Sequence, residues 1–231
     1  MAIFAIGDLH LSADGEKTME IFGGWEDYQK RIVDNWNRSV KPEDTVVLAG
    51  DTSWGMSLED AMPDFALLDS LPGIKIVLKG NHDYWWSSLT AMYKALESKG
   101  IQSIRFLHNN SYYFEGINLC GSRGWMFEKG QPHDQKIIRR EAIRMEASIQ
   151  ARENPAAETI MFLHYPPVYA GEEQETFIEV LRKHRITRCY YGHIHGGGHS
   201  SAITGLYKGI YFRMIAADYI GFDPVLIHAC S

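Results

Sequence analysis

The sequence contains few cysteines. Cys120, Cys189 and Cys230 are the only three among its 231 residues, and no two of them have the C-x-x-C spacing. An odd number of cysteines without that spacing argues against a disulfide framework and against a structural zinc site made of thiolates. Reduced thiols in the core are therefore the default prediction.

The sequence also lacks a long apolar run at its start. Residues 1–7 are apolar, but they are too few to cross a membrane and no basic segment precedes them. We predict that they form a first strand. The expected location is accordingly cytoplasmic, with no membrane as a partner.

Positive charge is scarcer than negative charge. The chain has 23 lysines and arginines against 29 aspartates and glutamates, which gives a formal net charge of −6. This balance makes general nucleic-acid binding unlikely, although it leaves room for a local basic pocket. The length, the 45% hydrophobic content and the absence of a repeat or linker predict one α/β domain over residues 1–231. The oligomeric state is left open.

Apolar runs alternate with segments of helical spacing. Short runs rich in β-branched residues predict buried strands at 45–49, 74–78, 159–163 and 188–191, and helical periodicity predicts helices at 25–38, 58–69, 89–99, 135–152 and 176–184. Such alternation implies parallel strands joined by crossovers. Further strands are expected at 105–107, at 112–114 and 117–120 around a Glu115-Gly116 turn, and near 208–215 and 225–228. The Arg-Arg-Glu pattern of the helix at 135–152 predicts a solvated face.

Polar, chemically competent residues follow the strand at 74–78. Gly80 allows a bend, and Asn81, His82 and Asp83 come directly after it. In an open α/β sheet, ligands bind outside the carboxyl ends of the strands. Taken alone, these four residues are equally well explained as an ordinary polar turn.

Other predicted strands end in the same way. Asp8-Leu9-His10, Gly50-Asp51, His164 and Gly192-His193-Ile194-His195 each follow one of them. Carboxylate, amide and imidazole donors suit Mn²⁺, Fe²⁺ or Zn²⁺, and the set differs from thiolate zinc sites and from oxygen-only calcium sites. These candidate ligands are more than one ion needs, so we predict two divalent ions that share one bridging carboxylate.

The motifs Asp-x-His, Gly-Asp, Gly-Asn-His-Asp, His and Gly-His-x-His occur in this order between residues 8 and 195. In this the chain resembles the calcineurin-like metallophosphoesterases. The resemblance implies an α/β fold, a four-layer sandwich of two mixed sheets flanked by helices. It further implies a dinuclear metal-dependent phosphohydrolase that cleaves a phosphomonoester or phosphodiester through a metal-bound hydroxide. One ion would be held by Asp8, His10 and His195, the other by Asn81, His164 and His193, with Asp51 bridging and His82 as a catalytic proton donor or charge stabiliser.

One departure from the family pattern bears on the substrate. Phosphoprotein phosphatases of this superfamily carry an Asp and an Arg where this chain has Trp54 and Gly55. A Ser/Thr phosphoprotein phosphatase is therefore less expected. The residue that orients His82 is left open, with Asp83 as one candidate.

Residues for substrate binding are less clearly indicated. Arg123 follows a predicted strand and could bind a phosphate, although a surface salt bridge explains it equally well. Trp85 and Trp125 could form part of an aromatic wall, with loop packing as the alternative. We interpret five further histidines as structural or surface residues: His108, His133, His184, His199 and His228.

Two alternatives remain for the function itself. The expected substrate is a small phosphorylated molecule or a nucleotide, and the sequence does not separate a nucleotide phosphodiesterase from a small-molecule phosphatase. The competing class is a non-catalytic metal-binding scaffold of the same fold. Such scaffolds typically lose ligands, and none is missing from the motifs of this sequence.

Overall fold

The structure is a computed structural model that describes residues 1–13, 15, 17–126 and 135–229. Its helices are α1 (Tyr28–Ser39), α2 (Met62–Ser70), α3 (Leu89–Ser98), α4 (Gln135–Gln150) and α5 (Glu175–Lys183). Its strands are β1 (Ala2–Ile6), β2 (Thr45–Leu48), β3 (Ile74–Leu78), β4 (Ile104–Leu107), β5 (Ser111–Phe114), β6 (Ile117–Ser122), β7 (Glu158–Leu163), β8 (Val168–Tyr169), β9 (Glu172–Glu173), β10 (Arg188–Tyr191), β11 (Gly205–Tyr207), β12 (Ile210–Met214) and β13 (Val225–Ala229). A 3-10 helix, Gly196–Ser201, follows β10.

The first sheet has the strand order β13-β1-β2-β3-β4. Strands β1 to β4 run parallel, and α1, α2 and α3 form the connections between them. The predicted alternation of strands and helices is thus confirmed, because parallel neighbours require crossover connections. Only β13 pairs antiparallel, with β1.

The second sheet has the order β11-β12-β10-β7-β6-β5. Its four inner strands are parallel, whereas β11 and β5 join its edges as antiparallel hairpins. Glu115 and Gly116, with φ angles of 51° and 81°, form the predicted two-residue turn between β5 and β6. A turn of this kind needs positive φ at both positions.

The two sheets pack face to face, and helices cover their outer faces. Alternate side chains of a strand point to opposite faces, so Val47 and Ile76 lie between the sheets while Val46 and Val77 pack under α1 to α3. Helices α4 and α5 cover the second sheet in the same way. The predicted mixed α/β fold with two large mixed sheets is confirmed. Each fully buried aliphatic side chain contributes about 1.5–3 kcal/mol to it.

Several smaller expectations have clear outcomes. Cys120 and Cys189 are free and buried, as predicted for core thiols. In the described part of the chain, no helix has the length and apolar character needed to cross a membrane. His133 and Cys230 lie outside the described residues.

The helix predicted at 58–69 begins later, at Met62. The Ser57 N–H donates to Asp60 Oδ2 at 2.9 Å, and the Asp60 N–H donates to Ser57 Oγ at 3.3 Å. These are the reciprocal bonds of a capping box, but here they close a separate turn ahead of the helix. Pro63 lies in the first helical turn, where proline is tolerated.

The helix predicted at 25–38 also begins later, at Tyr28. Asp27 has a φ of 51°, in the left-handed region, which a right-handed helix cannot include. The strand predicted at 208–215 begins at Ile210, because Lys208 and Gly209 have positive φ angles and form the turn that joins β11 to β12.

The prediction that the Arg-Arg-Glu face of α4 is solvated is wrong for Glu141. Glu141 is 0% exposed, and it accepts hydrogen bonds from Ser122 Oγ and from Arg144, both at 2.8 Å. Ile143, by contrast, is 68% exposed. The helix therefore buries a charged residue that its local pattern assigned to solvent.

A buried lysine lies at the amino end of β3. Lys75 is 0% exposed, and its ammonium group donates to the Leu71 carbonyl and to Ser103 Oγ, the latter at 3.1 Å. Burial lowers the pKa of Lys75 from 10.5 to about 8, because the charged form is poorly solvated there. The unfolded chain consequently binds this proton more tightly than the folded one does.

This difference predicts a pH-dependent stability. Between pH 7 and pH 10 the unfolded state holds more protons at Lys75, so the free energy of unfolding should rise with pH through this group by about 2 kcal/mol. A Lys75→Met variant should lack that rise. Urea unfolding of both proteins at the two pH values measures it, with Lys41→Met, at an exposed lysine, as the control for lost charge. Parallel pH profiles for wild type and Lys75→Met would contradict the assignment.

Candidate metal centre

Carboxylate, amide and imidazole side chains converge where the carboxyl ends of the two sheets meet. Parallel strands deliver their carboxyl ends to one edge of a sheet, and the packed sheets place these two edges side by side. The Gly192 N–H, after β10, donates to the His164 carbonyl at 3.1 Å, and the Asp8 N–H donates to the Gly50 carbonyl at 2.9 Å. The loops after five strands supply the converging side chains: Asp8 and His10 (β1), Asp51 (β2), Asn81 (β3), His164 (β7), and His193 and His195 (β10).

Four of these residues have left-handed backbones. The φ angles are 58° at Asp8, 46° at His10, 49° at Asp51 and 73° at His193. Such conformations cost a non-glycine residue about 1–3 kcal/mol and persist where the surrounding structure holds them. At His10 a hydrogen bond from its N–H to the Asp51 carbonyl, at 2.9 Å, maintains this conformation. The loops therefore turn sharply at the residues whose side chains enter the site.

The first group consists of Asp8, His10 and His195. One candidate ligand atom from each lies within 4.8 Å of the others. His195 Nε2 is 3.4 Å from His10 Nε2 and 3.5 Å from Asp8 Oδ1. Asp8 and His10 are buried, while His195 is half-buried.

The second group consists of Asp51, His164 and His193, whose ligand atoms again lie within 4.8 Å of one another. Asn81 belongs with them, because its Oδ1 is 2.6 Å from His164 Nε2 and 2.9 Å from His193 Nδ1. The structure thus brings together the members of each of the two ligand sets that the resemblance implied, with Asp51 grouped with the second set. Their role as ligands remains a prediction.

Asp51 lies between the two groups. Its Oδ2 is 3.8 Å from His10 Nε2 in the first group and 3.5 Å from His164 Nε2 in the second. A carboxylate placed in this way can contact ions on both sides. The position fits the predicted bridging role.

The electrostatics of the site fit bound cations. Asp8 and Asp51 are 0% and 1% exposed, and among the described residues their ion-pair partners are imidazoles. Burial, together with the charges of Asp83 and Asp8, raises the pKa of Asp51. Burial lowers the pKa of His164 and of His193 to about 3, which keeps their lone pairs free. Two buried carboxylates beside the neutral imidazoles of His164 and His193 carry negative charge that divalent cations would balance.

In two of the candidate histidine ligands, the second ring nitrogen contacts an oxygen acceptor that can orient the ring. His164 Nδ1 lies 3.0 Å from the Ala49 carbonyl, and His195 Nδ1 lies 2.9 Å from Asp218 Oδ1. Metal-binding histidines usually donate their second N–H to a carbonyl or carboxylate in this manner, which directs the other nitrogen to the ion. Burial alone would lower the pKa of His195, but hydrogen bonds to Asp218 and Asp8 outweigh it and raise that pKa to about 10.

Asp218 was missed by the sequence reasoning. It follows β12 by four residues, so the rule that found the other strand-end carboxylates would have found it too. Its second oxygen, Oδ2, is 3.1 Å from His199 Nε2. His199, interpreted from sequence as structural or surface, thus lies on the far side of a carboxylate that orients His195.

Asp83 has a different role from the one considered for it. Its buried carboxylate accepts the backbone N–H groups of Asp51 at 3.0 Å, Thr52 at 2.9 Å and Gly80 at 2.6 Å, and the Trp85 Nε1–H at 3.0 Å. None of these hydrogen bonds involves the His82 ring. Asp83 therefore joins the loop after β2 to the loop after β3, and it is not the residue that orients His82.

His82 lies beside both groups without belonging to either. Its backbone N–H donates to Asp51 Oδ1 at 2.7 Å, and its ring is 4.8 Å from the ring of Trp54 between centroids. Trp54 also stacks on His10, with centroids 4.7 Å apart and planes 25° apart. In place of the Asp found in phosphoprotein phosphatases, this chain positions an aromatic ring against both histidines. Among the described residues, His82 Nδ1 has no hydrogen-bond partner.

The three predicted substrate contacts have different surroundings. Trp85 is only 2% exposed and packs edge-on against Phe65 in the core, so its prediction as a substrate contact is wrong. Trp125 is half-buried, and its ring lies 5.1 Å from the Arg123 guanidinium. Arg123 also lies 3.9 Å from Glu141, so the salt bridge considered as an alternative is present but long.

Comparisons with known proteins agree with this geometry. A family model described as calcineurin-like phosphoesterase matches residues 1–197. No curated protein matches the chain. AQ665 of Aquifex aeolicus, a protein of unknown function, has a similar structure with 16% identity and a TM-score of 0.52, covering 97% of this chain and 95% of that one. TT1561 of Thermus thermophilus has 12% identity and a TM-score of 0.55, covering 98% and 97%. At such low identity these structures show the fold alone.

Close packing at Gly80 predicts the effect of a single methyl group. A Cβ at this position would overlap the Asp51 carboxylate and the Asp51 backbone nitrogen. We expect Gly80→Ala to displace Asp51 and to weaken Mn²⁺ binding at least about tenfold, measured by competition with a chromophoric chelator. Gly23→Ala is the control, because a Cβ there meets nothing within 4 Å. Unchanged affinity in Gly80→Ala would show that Asp51 does not hold the ion.

Asp218 provides a second test of the site. Replacing it with Asn removes the charged partner of His195 but keeps the side-chain size, and losses of about 10–100-fold in metal affinity are typical of such changes. We expect one ion to be weakened more than the other, because only the first group contains His195. Metal titration of Asp218→Asn beside the surface control Asp34→Asn measures this. Equal affinities in the two variants would exclude an orienting role for Asp218.

Proposed function

Because the chain belongs to the calcineurin-like phosphoesterase family, we propose that it is a dinuclear metal-dependent phosphohydrolase. The observation that carries the proposal is the convergence of seven buried or half-buried donor side chains in two groups, with Asp51 between them. When bound there, two divalent ions such as Mn²⁺, Fe²⁺ or Zn²⁺ would supply Lewis-acid activation of water and neutralise phosphoryl charge.

The chain's own residues would position the substrate and complete the reaction. Asp8, Asp51 and the histidines would hold the cations, and left-handed backbones together with the contacts of His164 and His195 to oxygen acceptors keep these side chains in place. His82 is tied to Asp51 through its backbone and leaves a ring nitrogen without a partner in the described structure. We assign it the role of donating a proton to the leaving oxygen or stabilising the charge that develops there.

The proposed substrate is a small phosphorylated molecule or a nucleotide. The net charge of −6 supports this, because it disfavours a long polyanion such as nucleic acid. Monoester and diester substrates are to be separated by experiment. The ratio of kcat/KM for p-nitrophenyl phosphate to that for bis(p-nitrophenyl) phosphate, measured with Mn²⁺, makes this separation directly.

Two variants test the proposed roles. We expect Asp51→Asn to lose metal and activity together, and His82→Ala to lose about 10²-fold or more in kcat while its metal content stays at the wild-type level. Elemental analysis and nitrophenolate release measure the two quantities. His184→Ala, at a histidine paired with Glu146 at the end of α5, is the matched control.

The outcomes distinguish the enzyme from a scaffold. A fully active Asp51→Asn protein would contradict the dinuclear proposal. Wild-type protein that binds no transition metal and hydrolyses neither nitrophenyl ester would instead favour a non-catalytic scaffold. Metal binding without hydrolysis would favour the metal-binding scaffold considered from the sequence.

A further inference from the structure

We propose that a basic pocket beside the metal centre binds a second phosphoryl group, so that the substrate carries two phosphates. The inference rests on the proposed function and specifies its substrate class. We define the pocket by six of the polar residues that line it: Lys79, His108, Ser122, Arg123, Glu141 and Arg144. It has a volume of about 270 Å³, including its opening to solvent.

The basic pocket adjoins the second group of candidate ligands. Lys79 directly follows β3, two residues before Asn81, and the Arg123 carbonyl accepts the N–H groups of His164 at 3.2 Å and Tyr165 at 2.9 Å. The pocket therefore opens at the same carboxyl edge as the metal centre. A phosphate held at the ions and a second one linked to it would both lie along this edge.

A continuous wall of rings links the pocket to the metal centre. The Arg123 guanidinium is 5.1 Å from the Trp125 ring, Trp125 is 5.3 Å from Tyr165, and Tyr165 is 4.2 Å from His193, all measured to ring centroids. Such a wall limits how far a substrate can spread on that side. It directs the part of the substrate beyond the reacting phosphate toward the cationic side chains of the basic pocket.

The pocket is positive within an acidic protein. Three cationic side chains, those of Lys79, Arg123 and Arg144, line it with a single carboxylate, Glu141. Glu141 is fully buried and bonded to Arg144 at 2.8 Å, which fixes that guanidinium at the pocket. Burial and the nearby charge of Arg144 lower the pKa of His108, in keeping with excess positive charge there.

Two of the cations have unused hydrogen-bonding capacity. Lys79 is half-buried, and no described residue forms a hydrogen bond or ion pair with its ammonium group. Arg123 Nε is buried and has no hydrogen-bond partner in the described part of the chain. A half-buried ammonium without a partner and a buried guanidinium N–H without an acceptor are costly, and an anion in the pocket would compensate both.

The chemistry of these donors favours a phosphoryl group. Guanidinium groups bind phosphate oxygens in pairs, and an ammonium group adds a point charge. The pocket has room for only about one water molecule between its walls. The phosphoryl group is therefore expected at the opening, where the long side chains of Lys79 and Arg144 can adjust to it.

The test compares one anionic group with two. Calorimetric titrations of the full-length Mn²⁺-loaded protein use methylenebisphosphonate and methylphosphonate at equal free Mn²⁺. We expect the bisphosphonate to bind at least about tenfold more tightly, since each hydrogen bond to a charged group is worth roughly one order of magnitude in affinity. Neither probe requires turnover.

Variants assign the extra affinity to the pocket. Lys79→Gln should reduce bisphosphonate binding about tenfold and leave methylphosphonate binding within about twofold. The variant is expected to fold, because no described residue pairs with Lys79. Arg144→Gln should have the same effect, with thermal unfolding as a check because Glu141 loses a partner, and Lys41→Gln is the control for lost charge.

The two proposals fail in different ways. Equal wild-type affinities for the two probes, or full bisphosphonate affinity in Lys79→Gln, would overturn the second phosphoryl site even if nitrophenyl esters are hydrolysed. Selective bisphosphonate binding that depends on Lys79 would support the site. It would do so even if hydrolysis were absent and the proposed enzymatic function were wrong.

Discussion

The hydrogen bonds of the Asp83 carboxylate are the constraint on which the candidate metal centre depends. One buried side chain accepts N–H groups from Asp51 and Thr52 after β2 and from Gly80 after β3. Hydrogen bonds to a charged group are worth about 1.5–3 kcal/mol each, more than ordinary ones. Burial raises the pKa of Asp83 to about 6 while the N–H donors oppose that rise, so the carboxylate remains mostly ionised at neutral pH. The two loops that supply Asp51 and Asn81 are thereby held as one unit.

Close backbone contacts and local strain complete this arrangement. Gly80 lies against Asp51, and a Cβ on Gly80 would overlap the Asp51 carboxylate. Gly192 lies against Asp8, and a Cβ on Gly192 would overlap the Asp8 carboxylate. The left-handed backbones of Asp8, Asp51 and His193 are retained within this packing. The result is a set of candidate donor atoms held in place by the scaffold, which is what a precise metal site requires. His82 remains outside the set because its backbone, not its ring, is bonded to Asp51.

Much of this protein follows from local patterns. Apolar runs and helical periodicity predicted the principal strands and helices, since burial on both faces of a parallel strand leaves a visible apolar signature. The donors at the strand ends were likewise visible, from Asp8 to His195. The errors arose where one local signal is compatible with two structures. The Ser57–Asp60 hydrogen bonds formed as in a capping box, but they close a turn ahead of the helix. Glu141 belongs to a charged stretch of α4, but its side chain points inward and accepts a hydrogen bond from Ser122.

The sequence by itself determined the alternation of strands and helices and the candidate donor residues at the strand ends, because both depend on spacing along the chain. Only the tertiary structure decided the partners of those residues. It placed Asp218 behind His195, turned Asp83 toward backbone N–H groups, buried Trp85 against Phe65, and grouped Lys79 with Arg123 and Arg144. Each of these contacts joins segments distant in sequence or depends on how a loop turns. Their geometry is therefore set by the packing of the two sheets and their loops, which no local pattern encodes.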